Sequence, residues 1–237
     1  GKCLQALKCY KRMQNEGILP NALTFTCILK ACANIGDIKK GKQIHEEVFN
    51  RGMLSEKDVL LGTSLVDMYA KCGDLGLAQR VLEEIPVRNL ASWSALMRGY
   101  AEHKQNDKAL NSLECMQNEG FSPDAITFTC ILKACGNSGA IEKGQEIHDE
   151  ILSQGLLNNN IVLGTALVDM YAKCDMPTKA EYVFKELGLR DIVTWSALIA
   201  GYAQQGQSYE ALRCFKEMQS EGLSPNTVTF ICILKAC

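Results

Sequence analysis

The chain has 237 residues, 47% hydrophobic and 22% charged, an ordinary globular composition in which nothing approaches the apolar run of about eighteen residues that a membrane span requires. A net charge of −2 supplies no global basic field, so any attraction to nucleic acid must come from locally placed groups. Twelve cysteines in a long, aliphatic chain with no signal-peptide pattern at its start read as reduced thiols rather than a disulfide framework.

In chain order, residues 1–21 read as the second half of a helical hairpin closed by "EGILPN". A unit from Ala22 to Asp58 opens with "LTFTCILKACANIG", a shorter one from Val59 to Asn89 carries "LGTSLVDMYAKCG", and a third from Leu90 to Asp124 carries "SWSALMRGYA" and ends in "EGFSPD". The three then return about a hundred residues later as Ala125 to Asn160, Ile161 to Asp191 and Ile192 to Asn226, and residues 227–237 begin a further first-type unit. Such self-similarity marks a repeat array, and both ends look cut from a longer one.

Apolar spacing within a unit is helical. Leu65, Met68, Tyr69 and Cys72 follow the i, i+3, i+4, i+7 pattern, and after Gly73 a second stripe follows with Leu75, Ala78 and Leu82. Each unit is therefore expected to be a helical hairpin, with no strand anywhere. A single hairpin cannot hide its apolar face, so the hairpins must stack, first helices lining one surface and second helices the other. Glycine followed by proline three residues on, as in "EGFSPD", suits a left-handed helix end before the next hairpin. Cysteines recur with the repeat (Cys27, Cys130 and Cys232; Cys32, Cys135 and Cys237; Cys72 and Cys174), as small apolar packing pieces would.

The unit ending in Gly-x-x-Pro-Asp/Asn, the short unit with "LVDMYAKCG" and the longer one with "ILKAC…GKQIH" together resemble the pentatricopeptide repeat proteins of plants. The fixed order of long, short and standard units resembles their PLS subfamily, over the whole chain. Tetratricopeptide repeats have a different length and signature. The resemblance implies an all-α, right-handed superhelical solenoid that binds single-stranded RNA in mitochondria or chloroplasts, one base per repeat. It also implies a role in organellar RNA processing, most plausibly site recognition for cytidine-to-uridine editing.

In that family the fifth residue and the last residue of a unit read the base, and the second packs against its plane. Carried over, the reading pairs are Thr63 with Asn89, Ser94 with Asp124, Thr165 with Asp191 and Ser196 with Asn226. A short hydroxyl leaves room for a purine; Asn can donate to adenine N1, and Asp accepts from the N1 and N2 hydrogens of guanine. The long units carry Thr26 with Asp58 and Thr129 with Asn160, but such units follow the rule poorly, so their base is left undetermined and the expected core is A-G-n-G-A. Ile231, fifth in the incomplete unit, can make no specific readout. The base-sandwiching positions are Leu23, Leu60, Ala91, Ile126, Val162, Val193 and Val228, of which only Ala91 is small. Asn or Asp before a helix is by default an N-cap; the recurrence of polar residues at two fixed positions is what points to readout.

Positions 2, 5, 9 and 13 of each first helix share one face. At position 9, Lys30, Asp67, Arg98, Lys133, Asp169, Ala200 and Lys235 suggest a ladder of ion pairs along that face, and Lys71 and Lys173 at position 13 are the expected phosphate contacts. Trp93 and Trp195 at position 4 face away from it and are expected in the core. "HEE" at His45 and "HDE" at His148 match half of a zinc deaminase signature, but no C-x-x-C accompanies them, and there is no phosphate-cradling glycine loop and no nucleophile elbow. No catalytic residue, metal, cofactor, small-molecule substrate or membrane partner is expected; any deaminase domain would lie outside these residues. The alternative is a protein-binding scaffold whose long units dock an organellar RNA-editing factor protein.

Overall fold

The computed structural model describes residues 2–158 and 160–236, and all regular structure among them is helical. The chain divides into two compact units, residues 1–122 and 123–237. The first unit holds α1 (Lys2–Asn15), α2 (Ala22–Ile35), α3 (Ile38–Asn50), α4 (Val59–Lys71), α5 (Leu75–Glu84), α6 (Leu90–Glu102) and α7 (Asn106–Asn118). The second holds α8 (Ala125–Ser138), α9 (Ile141–Ser153), α10 (Ile161–Lys173), α11 (Pro177–Glu186), α12 (Ile192–Gln204), α13 (Ser208–Ser220) and α14 (Thr227–Ala236). No helix among the described residues is long and apolar enough to cross a membrane.

Within each unit the first helices of successive hairpins pack side by side: α2 on α4 and α4 on α6, then α8 on α10, α10 on α12 and α12 on α14. The second helices lie against this row, α3, α5, α9, α11 and α13 each between two of its members, α1 on α2 and α7 on α6, and among the described residues none packs on another within its unit. Small residues explain the tight row. A Cβ at Gly99 of α6 would sit 2.8 Å from Ala70 Cβ and 3.3 Å from Ala70 Cα; at Gly201 of α12 the distances to Ala172 Cβ and Cα would be 2.7 Å and 3.1 Å. Gly99→Ala should therefore destabilise the chain: overpacking against backbone costs about 1–3 kcal/mol, more than the roughly 1 kcal/mol alanine gains in helix propensity. Gly76→Ala, with nothing within 4 Å of its Cβ, should instead raise the urea midpoint, and the two variants measured together separate packing from propensity.

Hairpins end as the glycine–proline spacing predicts. Gly120 takes a φ of 86° after α7, and its neighbour Phe121 donates to the Met116 carbonyl at 3.2 Å, the six-to-one closure of a left-handed helix end. Core positions are filled by the periodic apolar residues, among them Phe25, Leu29, Leu65, Met68, Phe128, Leu132, Leu167 and Met170. Every cysteine among the described residues is a free thiol. Cys32, Cys130, Cys135, Cys214 and Cys232 are buried, and burial pushes Cys32 up to about 11 and Cys135 up to about 12, the inert range for structural thiols. Cys27 departs from its copies Cys130 and Cys232, being exposed on α2.

The two histidine motifs are absorbed by packing. His45 Nδ1 lies 2.9 Å from the Tyr69 hydroxyl and His148 Nδ1 2.9 Å from that of Tyr171, each ring pair meeting edge to face. Burial lowers both imidazoles below their ordinary range.

Candidate nucleic-acid interface

In each unit the exposed face of the first helices carries an anomaly. Leu23, Leu60, Ile126, Val162, Val193 and Val228 are between 55% and 65% exposed although large and aliphatic, and each is the second residue of α2, α4, α8, α10, α12 or α14. Ala91 of α6 is exposed at the same register. Hydrophobic residues left uncovered in regular array mark a binding surface rather than a core.

One turn on stand the fifth-position hydroxyls. Thr26 and Ser94 are 3% exposed, Ser196 is 5%, and Thr63, Thr129 and Thr165 are half-buried. The single hydroxyl hydrogens of Thr63, Ser94, Thr129 and Ser196 are committed within the protein. Thr63 donates to the Val59 carbonyl at 2.9 Å, Ser94 to Leu90 at 2.8 Å, Thr129 to Ala125 at 2.7 Å and Ser196 to Ile192 at 2.6 Å, while Thr165 lies 2.6 Å from the Thr194 hydroxyl. What remains for the open face is lone pairs, so these groups act there as acceptors.

The last-position residues are N-caps, as their default reading has it. Asn89 Oδ1 accepts from Ser92 N–H at 2.8 Å, Asp124 from Thr127 N–H at 2.8 Å, Asp191 from Thr194 N–H at 2.9 Å and Asn226 from Thr229 N–H at 2.9 Å. Capping and readout are compatible, because the cap takes one oxygen and fixes the rotamer. Asn is left with its amide donor and Asp with a second carboxylate acceptor. Asn89, Asp124 and Asp191 share an extended backbone, with ψ of 170°, 178° and 179°. The long-unit residues differ: Asp58 has ψ 39°, no cap bond and a bond from Ser55 Oγ at 2.8 Å, and Asn160 has ψ 82°.

In the first short unit the fifth and last residues meet across adjacent helices. Thr63 Oγ1 lies 3.4 Å from Asn89 Oδ1. In the second unit a hydroxyl that sequence reasoning missed intervenes. Thr194 Oγ1 is 2.9 Å from Asp191 Oδ1 as well as 2.6 Å from Thr165, and Thr229 Oγ1 is 3.0 Å from Asn226 Oδ1 and 2.9 Å from Ser196 Oγ. The available signal was a Thr or Ser at position 3 of each long and standard unit, where the short ones have Leu61 and Leu163. Ser94 belongs to the first unit and Asp124 to the second.

Behind the last residue of the short unit lies a clamp present in both units. Arg88 meets Glu119, which also accepts from Trp93 Nε1 at 3.1 Å; Arg190 lies 3.4 Å from Glu221, which accepts from Trp195 Nε1 at 2.9 Å. Both tryptophans are buried.

The charge pattern corrects one expectation. Among the described residues the ladder between helices reduces to a single long contact, Arg98 to Asp67 at 3.9 Å. Lys71 pairs instead with Asp67 of its own helix at 2.8 Å, and Lys173 with Asp169 at 2.6 Å. Residues four apart on one helix lie about 5–6 Å apart at Cβ with the acid favourably N-terminal, whereas a neighbouring helix axis is about 8–10 Å away. Lys30 and Lys133 are exposed and without an ion-pair partner among the described residues. In the second unit a hollow of about 320 Å³ opens on this face between Thr129, Lys133, Val162, Thr165, Asp169 and Val193. Among the described residues no group of His, Cys, Asp and Glu could hold a metal ion.

Family profiles match along most of the chain. A profile described as "PPR repeat" matches residues 23–53, 63–90, 126–156 and 165–192, one described as "PPR repeat family" matches 88–137 and 190–237, and a "Pentatricopeptide repeat domain" profile matches 1–35. Together they leave only residues 54–62 and 157–164 unmatched. The chain belongs to the pentatricopeptide repeat family. Similar family members from Arabidopsis thaliana include the chloroplastic pentatricopeptide repeat-containing protein At4g18520, 35% identical over all of this chain and 38% of its own length. Another is the putative mitochondrial protein At3g25060, 34% identical over all of this chain and 39% of its own. The chain thus spans a little over a third of these relatives. Among solved structures, the pentatricopeptide repeat protein PPR10 in complex with an 18-nt psaJ RNA element superimposes with a TM-score of 0.84 at 24% identity, covering all of this chain and 35% of that one. This pentatricopeptide repeat chain therefore has the helical-repeat fold of that protein.

Proposed function

We propose that this chain is a sequence-specific single-stranded RNA reader of the PLS type, addressing organellar RNA for processing, in particular cytidine-to-uridine editing in a chloroplast or mitochondrion. The observation that carries the reading is the recurrence, at one register, of an exposed aliphatic, an inward-bonded hydroxyl and an Asx cap with one atom to spare. An unpaired base can slide between successive aliphatics and offer its Watson–Crick edge to the other two groups. Thr63 with Asn89, Ser94 with Asp124, Thr165 with Asp191 and Ser196 with Asn226 then read A, G, G and A, with an undetermined base opposite Thr129 and Asn160, giving A-G-n-G-A from 5′ to 3′. Family membership and the RNA held by PPR10 support the reading. Phosphates are met by lysines of this face: Lys71 and Lys173 hold neutralised positions beside Asp67 and Asp169, so a modest salt dependence is expected.

A gel-shift titration of the chain at two salt concentrations against single-stranded RNAs carrying A-G-n-G-A or its pyrimidine counterpart tests this. With each mismatched base costing about 1–3 kcal/mol, the purine RNA should win by far more than tenfold. Equal or absent binding would favour the second reading, a protein scaffold for an editing factor. That reading draws on a hollow of about 650 Å³ beside the exposed Leu152 and Tyr182, between α9 and α11.

A further inference from the structure

We propose that Thr194 is a third recognition residue of the second short unit, one that touches no base but holds Thr165 and Asp191 together as a single guanine-reading pair. The inference rests on the RNA-reading proposal. Thr194 is fully buried on α12, its Oγ1 placed 2.6 Å from Thr165 Oγ1 and 2.9 Å from Asp191 Oδ1. The direction of both bonds is forced. An ionised carboxylate has no hydrogen to give, so Thr194 donates to Asp191, and Thr165 must then donate to Thr194. Thr165 is left showing an acceptor, next to the uncommitted second oxygen of Asp191. Guanine is the base whose Watson–Crick edge carries two adjacent donors, N1–H and the N2 amino group, and two neighbouring acceptors complement it.

Thr229, also fully buried, stands likewise between Ser196 and Asn226, but there Ser196 gives its hydrogen to the Ile192 carbonyl. At Thr63 and Asn89 the arrangement differs: the Ser92 hydroxyl bonds the backbone of Asn89 in a capping box and Thr63 turns to the Val59 carbonyl. That contrast indicates what loss of the bridge would do. In Thr194→Val the cap survives, because Asp191 Oδ1 still accepts from the backbone N–H groups of Val193 at 3.0 Å and of residue 194 at 2.9 Å. The released Thr165 hydroxyl can turn to the carbonyl four residues back, the partner that Thr129 and Ser196 use, and the two acceptors separate.

The test is a competition titration of the whole chain with RNAs that carry guanine or adenine at the base opposite Thr165 and are otherwise A-G-n-G-A. Thr194→Val should lower the guanine-to-adenine ratio at that base by about fivefold, the worth of one neutral hydrogen bond, with the preference opposite Ser196 unchanged. Thr194→Ser, which keeps the hydroxyl, should restore it. An unchanged ratio in Thr194→Val, or a loss of affinity spread evenly over all bases with a lowered melting temperature, overturns the role of Thr194 while leaving the reading pairs intact. A wild-type chain without guanine preference at this base overturns both proposals together.

Discussion

Replacing Asp191 by Asn should move the preferred base opposite Thr165 from guanine to adenine, changing the guanine-to-adenine ratio by about a hundredfold. The cap is conserved, since Asn and Asp are equivalent N-caps and Oδ1 is already engaged by two backbone N–H groups. Only the second atom changes, from an acceptor that suits guanine N1–H to an amide donor that suits adenine N1. A good base contact discriminates by about 1–3 kcal/mol; one is lost and one gained, hence the size of the swing. The variant also removes a negative charge from the face, raising affinity for any RNA, so the ratio and not the absolute affinity is the readout. Competition between RNAs differing at that base alone measures it, and a retained guanine preference would remove Asp191 from the reading set.

Trp195→Ala should cost about 3–5 kcal/mol of stability, the usual range for truncating a large buried aromatic. Trp195 is 1% exposed, meets Phe184 edge to face at 4.4 Å between centroids, and donates to Glu221 at 2.9 Å. Trp195→Phe keeps most of the packing and leaves Glu221 its Arg190 partner, so it should cost about 1 kcal/mol, the net worth of a hydrogen bond. Chemical unfolding with RNA titration on the same samples decides between core and platform. A stable Trp195→Ala chain that had lost RNA would mean that the indole stacks on a base.

Much of the fold was legible because the repeat writes its register several times. The first helices α2, α4, α6, α8, α10, α12 and α14 start at the first residue of the sequence-defined units, since an Asx residue followed by a helical apolar stripe is a strong local signal. The exposed face was legible for the same reason: 3.6-residue periodicity says which side chains share a stripe. Periodicity does not set the axial offset of one helix against its neighbour, nor which of two partners a side chain prefers. Thr194 meets Thr165 only because α10 and α12 settle at one particular offset. The lysines show the same limit, Lys71 and Lys173 taking the near aspartate on their own helix over any partner across the row.

The inward turn of the fifth-position hydroxyls has a consequence for fidelity on the proposed reading. An acceptor there seeks an amino group, which adenine, guanine and cytosine carry beside the ring nitrogen of their pairing edge and uracil lacks. An Asp site, requiring a ring N–H beside an amino group, is met by guanine alone. An Asn site, requiring an unprotonated ring nitrogen beside an amino group, is met by adenine and equally by cytosine, and only the space between the flanking aliphatics tells these two apart. Mistakes along the address should therefore be uneven: its guanines firm, its adenines slipping to cytosine before they slip to guanine.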